Sequence, residues 1–128
     1  MKSTTASVRD RIGYLVKQLQ HVFRAQMDDG LATIGLSTGQ YALLSAIEEA
    51  PGSSGAELAR RCFVTPQSVN GLIAGLQERD LIERSASATH GRIIETRLSP
   101  SGRERLKAAH RIVFAIEDKM LANLSGSQ

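Results

Sequence analysis

The sequence predicts a mostly helical domain carrying one small β-hairpin. Three observations lead there. Both ends of the chain hold long stretches with apolar residues at three- and four-residue spacing, three shorter segments between them each open on a capping residue, and two strand-like runs flank a polar tip that ends in glycine. The 128 residues, 41% hydrophobic and 23% charged, are one domain's worth of ordinary globular composition. No apolar run is long enough to cross a bilayer, and the polar start Met1-Lys2-Ser3-Thr4-Thr5 lacks the apolar segment of a secretion signal, so a cytoplasmic protein without membrane contact is expected. A single cysteine, Cys62, excludes an internal disulfide and is no zinc pattern.

From Val8 the apolar residues fall at Ile12, Leu15, Val16, Leu19, Val22, Phe23, Met27, Leu31 and Ile34. The stripe passes Asp28-Asp29-Gly30 without losing its spacing, so one helix is expected to reach about Thr33 and end near Gly35. Ser37 followed by Gln40 is the reciprocal capping pattern, and Leu43, Leu44 and Ile47 with Tyr41 form the inward face behind it. Pro51-Gly52 stops this second helix. Ser54 followed by Glu57 repeats the capping pattern and opens a short helix, Gly55–Arg61, with Leu58 and Ala59 inward. Cys62-Phe63-Val64 then leads directly to residues 65–79. Thr65 caps that segment, Pro66 suits its first position, and Val69, Leu72, Ile73 and Leu76 make one apolar stripe. Its other face, Gln67, Ser68, Asn70 and Gly71, is short or neutral, with no charge before Glu78, so another surface can approach closely and meet hydrogen-bonding groups.

Two short helices joined by such a turn form a helix-turn-helix, whose second helix enters the DNA major groove. Residues 81–84 and 92–98 are strand-like, separated by the small, polar tip 85–91, which reads as a projecting hairpin offering His90 and Arg92. A helix-turn-helix followed by such a hairpin is a winged helix. After Ser99-Pro100 a last helix carries Leu106, Ala109, Val113, Ile116 and Met120, a narrow seam of coiled-coil type. Residues 8–34 and 100–124 are therefore expected to form a helical dimerisation region around the winged helix-turn-helix at 37–98, although the same seam can equally pack on the first helix of its own chain.

The net charge of +3 is unevenly placed. Lys and Arg balance Asp and Glu at five each over residues 1–53, exceed them by ten to six over 54–111, and number one against two over 112–128. The positive half is the one with the helix-turn-helix, as a polyanion-binding protein requires, though a solvated basic surface gives the same count. An enzyme is not indicated: no carboxylate pair stands in a pocket-like setting, no nucleophile has a base, and no Gly-rich phosphate loop is present. No cofactor or metal is expected, because His21 and His110 lack a third ligand and read as solvated or interfacial, and Cys62, beside Phe63 and Leu58, reads as an inert core residue.

Four pieces in register resemble the multiple-antibiotic-resistance regulator (MarR) family of winged-helix transcription factors over nearly the whole chain. They are residues 36–44 around Ser37, Gln40 and Tyr41; Glu57-Leu58-Ala59-Arg60-Arg61; residues 76–84 from Leu76 to Arg84; and Leu98-Ser99-Pro100-Ser101-Gly102. The family's wing signature, Asp-x-Arg, five residues, then Leu-Ser, is matched by His90-Gly91-Arg92 and Leu98-Ser99, with His90 standing where relatives carry aspartate. The resemblance implies a homodimeric, sequence-specific regulator of double-stranded DNA, a repressor acting on a pseudo-palindromic operator and released by a small aromatic or anionic effector. It places Thr65, Gln67, Ser68, Asn70 and Gly71 against the major groove and Arg92 in the minor groove, with a cationic His90 able to touch phosphate. It also implies an effector crevice between the dimer region and the winged domain, for which Tyr14, His21 and Tyr41 are candidates, with a core role the alternative. Relatives usually continue into another helix after the region of Leu124 and Ser125, whereas this chain stops at Gln128. The competing reading is a winged helix used only for protein association, such as the dimerisation module that precedes some small-molecule methyltransferase domains.

Overall fold

The chain's structure, a computed structural model, describes residues 4–89 and 91–126, with side chains described over 10–89 and 91–123. The expectations for His90 therefore lie outside the described residues. The element order is α1 (Thr4–Ala32), α2 (Thr38–Glu49), α3 (Gly55–Arg61), α4 (Pro66–Glu78), β1 (Ile82–Ala86), β2 (Ile94–Leu98) and α5 (Pro100–Gly126). The two strands pair antiparallel, from Ile82 opposite Leu98 to Ala86 opposite Ile94. Leu31, Leu43, Leu44, Ile47, Leu58, Leu76, Leu81 and Leu106 are fully buried, so the core lies where the end of α1, α2, α3, α4 and the first half of α5 meet. Each such side chain contributes about 1.5–3 kcal/mol of burial.

α1 runs through Gly30 as its stripe predicts, and the structure supplies the reason for a glycine there. A Cβ at Gly30 would stand 2.7 Å from Cγ2 of Ile112 and 3.5 Å from Cδ1 of Ile116, so α5 crosses α1 at a distance only glycine permits. The seam on α5 thus turns inward within its own chain: Leu106, Ala109 and Val113 are buried, and Ile116 packs on the core. A run of apolar residues is left in water further up α1, at Ile12, Tyr14, Leu15, Val16, Leu19 and Val22, each 44–62% exposed.

Three helices close in the same way. Gly35 and Leu36 bond back to Ala32 and Leu31, Phe63 and Val64 to Arg60 and Ala59, and Asp80 and Leu81 to Gln77 and Leu76. This is the Schellman closure, with a left-handed residue at Gly35 (φ 71), Phe63 (φ 56) and Asp80 (φ 58). Ser37 makes the full capping box with Gln40. Ser54 makes only half of the one expected: its hydroxyl accepts the Glu57 N–H, while the Glu57 carboxylate turns instead to Arg61 at 3.5 Å.

The wing differs from expectation in two ways. β1 extends to Ala86 and β2 begins only at Ile94, so the connection, 87–93, lies further along the chain than the expected 85–91, and the Ser87 N–H bonds across its base to the Ile93 carbonyl. Arg92 consequently lies in the loop and not in a strand. A third segment also joins the sheet, since Gly52 N–H donates to the Thr96 carbonyl and Thr96 N–H to that of Ser53.

The wing's base is fastened to α5 through Ser99. Its N–H donates to the Leu81 carbonyl at 3.1 Å, its hydroxyl donates to the Asp80 carbonyl at 2.6 Å, and the same hydroxyl accepts the Gly102 N–H at 2.9 Å. A Cβ at Gly102 would fall 1.9 Å from the Leu81 carbonyl oxygen, which is backbone and cannot step aside. Gly102→Ala should therefore cost about 3 kcal/mol or more, whereas Gly13→Ala, in open space on α1, should gain up to about 1 kcal/mol. Urea unfolding midpoints of the two variants against wild type check both signs.

Candidate nucleic-acid interface

α4 begins where Thr65, extended at φ −72 and ψ 155, caps it. The Thr65 hydroxyl accepts the Ser68 N–H at 3.0 Å and donates to the Ser68 hydroxyl at 3.0 Å. Both side chains are thus partly engaged in holding the helix start, and Ser68 keeps one hydroxyl proton free. Val69, Ile73 and Leu76 face the core. Gln67, Asn70, Gly71 and Ala74 face water, and neither amide has a hydrogen-bond partner among the described residues. An exposed helical glycine costs up to about 1 kcal/mol relative to alanine. Nothing in the chain requires it at Gly71, where a Cβ would meet no atom within 4 Å. The space above it is open to an incoming surface.

Beside this face stands the wing. Arg92 is exposed and makes no ion pair or hydrogen bond among the described residues, which leaves its guanidinium free for an external anion. Arg84 is a residue that sequence reasoning gave no role. Its Nε donates to Thr96 Oγ1 across the hairpin at 3.1 Å, and its Nη2 comes within 3.7 Å of the point where a Cβ on Gly55 would stand. Asn70 Oδ1 lies 4.0 Å from the same point. Arg84 therefore braces the hairpin through Thr96 and lies near the start of α3 and Asn70 of α4. The only advance signal was its place in a strand whose alternate residues, Ile82 and Arg84, point to the winged core.

Tyr14, His21 and Tyr41 are not brought together. Tyr14 and His21 line a groove of about 850 Å³ between α1 and Met120 of α5, whose lining does not include Tyr41. Tyr41 instead meets His110 at 2.9 Å between its hydroxyl and Nδ1, and His110 Nε2 meets the Glu48 carboxylate at 2.9 Å. His110 also stacks on Phe114, ring centroids 5.2 Å apart. It is thus not simply solvated but joins α2 to α5. Burial raises the Tyr41 phenol above its ordinary value, opposed by a hydrogen bond with Ser45 and assisted by the negative Glu117 and Glu48. The shift favours the protonated phenol. Cys62 is half-buried, not fully so, and burial pushes its thiol up, away from the reactive thiolate. Among the described residues no three His, Cys, Asp or Glu side chains gather as metal ligands would.

Comparison with known proteins matches residues 34–93 to the model of the MarR family. The HTH-type transcriptional repressor Rv2887 of Mycobacterium tuberculosis (strain ATCC 25618 / H37Rv) is 33% identical over 117 residues, covering 91% of this chain and 84% of that protein. The crystal structure of the MarR family protein Rv2887 with p-aminosalicylic acid superposes with a TM-score of 0.73 at 32% identity, over 87% of this chain and 84% of that one. The fold is also that of the transcriptional repressor CouR, solved with a 23-mer DNA duplex, at a TM-score of 0.82 and 21% identity over 99% of this chain and 89% of that one.

Because the space over Gly71 is empty, Gly71→Ala should stabilise the isolated protein by about 0.5–1 kcal/mol. Thermal unfolding followed by circular dichroism reads the shift.

Proposed function

The chain belongs to the MarR family, and on that footing we propose that it is a homodimeric, sequence-specific repressor of transcription whose hold on DNA weakens when a small effector binds. The observation that carries this reading is the face of α4: two unpaired amides, a free hydroxyl proton and an open glycine, uncharged and unexplained by anything inside the chain. Gln67 and Asn70 have the paired donor and acceptor that read adenine in the major groove, and Gly71 lets the helix backbone come close to the base edges. Thr65 and Ser68 sit at the helix start, where phosphate is favoured by the unpaired N–H groups. Arg92 reaches from the wing toward a narrow minor groove, and a cationic His90 would supply a second contact, to phosphate.

Pairing of two chains through the exposed apolar stretch of α1 sets two α4 helices about one turn of DNA apart, so the operator is pseudo-palindromic. The Tyr41–His110–Glu48 bridge lies between the winged part and α5, where an effector would alter the spacing of the two recognition helices. Salicylic acid and p-aminosalicylic acid were each solved bound to the M. tuberculosis relative, and an aromatic carboxylate is the class of effector proposed for this chain. No helix among the described residues is long and apolar enough to cross a membrane, and we place the protein in the cytoplasm with its DNA, acting by binding and without catalysis.

Titration of the intergenic DNA beside its gene should yield a salt-sensitive, sequence-selective complex. Arg92→Ala should weaken it roughly tenfold or more, and Gln67→Ala or Asn70→Ala should relax base preference by about 1–3 kcal/mol. Gly71→Ala should bind less tightly despite its gain in stability. A chain that dimerises tightly yet prefers no sequence supports the protein-association reading instead.

A further inference from the structure

We propose that Phe63 is an apolar contact to the duplex at the edge of the major groove, in addition to the polar face of α4. The inference rests on the reading that α4 enters that groove. The three helix ends closed by the Schellman arrangement allow a direct comparison of what each left-handed position holds. Gly35 has no Cβ to strain, and Asp80 is a type that tolerates the conformation. Phe63 is the bulkiest of the three and the least suited to φ 56. It gains nothing inside the chain in return, being 95% exposed, more than any other large apolar side chain described. A turn required only to join α3 to α4 is better served by glycine or asparagine. Backbone strain and exposed aromatic surface at one position mark a side chain held out for something else.

Its position says what that is. Phe63 stands two residues before the Thr65 cap, with Val64 (37% exposed) and the exposed Pro66 adjoining it. The rest of its neighbourhood is polar or cationic: Arg60 and Arg61 precede it, and Gln67 follows. A small apolar tip set among cations fits a nucleic-acid duplex, where thymine methyls and deoxyribose faces lie between phosphates, better than it fits a protein partner, which requires a wider apolar patch. It also continues the face already assigned to DNA.

The test uses a duplex that the wild-type chain itself selects from a pool of random sequence. Phe63→Gly relieves the strain, so its melting temperature should rise by about 3–5 °C, while its affinity for that duplex falls on the order of tenfold. Because the lost contact is apolar, the slope of affinity against salt should stay as in wild type. Phe63→Asn, which also tolerates the left-handed turn, should lose affinity alike. Replacing thymine by deoxyuridine separates the two surfaces. If the thymine methyl is the partner, wild type weakens on that duplex and Phe63→Gly does not; if deoxyribose is, the ratio between them is unchanged. Variants that bind as tightly as wild type overturn the role of Phe63 alone, whereas a wild-type chain that selects no sequence overturns the DNA reading with it.

Discussion

The structure depends on the contact between the Leu81 carbonyl and the start of α5. Three parts of the chain converge on Asp80 and Leu81: the closure of α4, the first residue before β1, and the Ser99 cap that follows β2. Gly102 lets the backbone of α5 rest directly on this junction, with no side chain between. α4, the wing and α5 are therefore held at this junction by short hydrogen bonds among backbone groups and the Ser99 hydroxyl. A shift of α5 cannot be absorbed locally and must carry α4 and the wing along. Arg105 and Arg79 donate to the carbonyls of Ile34 and Gly35 at 2.7 and 2.6 Å, tying the end of α1 to the same frame.

That frame accounts for the contrast between buried and open polar groups. Thr96, the most deeply buried polar residue, meets Arg84 through its hydroxyl and Gly52 and Ser53 through its backbone. His110 holds Tyr41 on one nitrogen and Glu48 on the other, so both ring nitrogens are engaged. These inward groups are paired, as the cost of about 1–3 kcal/mol for a buried unpaired group favours, with the Ser45 hydroxyl, which meets the Tyr41 phenol without full hydrogen-bond geometry, left as an exception. Gln67, Asn70 and Arg92 escape that cost by remaining in water, and this is what leaves them available.

Much of this was legible in the sequence, for a physical reason. Helix starts are local: Ser37, Ser54 and Thr65 cap within three residues, so spacing alone located α2, α3 and α4. The apolar stripe carried α1 through Gly30, but the cause, Ile112 pressing on it from a distant helix, has no local sign. The same holds for Gly102, whose partner is a carbonyl, and for the bridge at Ser53. The loop around Arg92 was misplaced because its position follows from the register of the hairpin, with Ala86 opposite Ile94, which strand-like composition does not fix. Cys62-Phe63-Val64 reads as an apolar link, and nothing in it reveals that the middle residue turns left-handed and outward.

α1 changes allegiance along its length. Met27 and Leu31 belong to the core of their own chain, while Ile12, Leu15, Val16 and Leu19 expose half their surface. With a second copy covering the upper stretch, as proposed above, such a helix would draw part of its stability from mass action, since the cover adds free energy only when enough of it is present. The unfolding midpoint of such a protein has no single value and climbs with protein concentration. In a cell the number of copies would then set both how much folded protein exists and how long each molecule survives the proteases that sample open states.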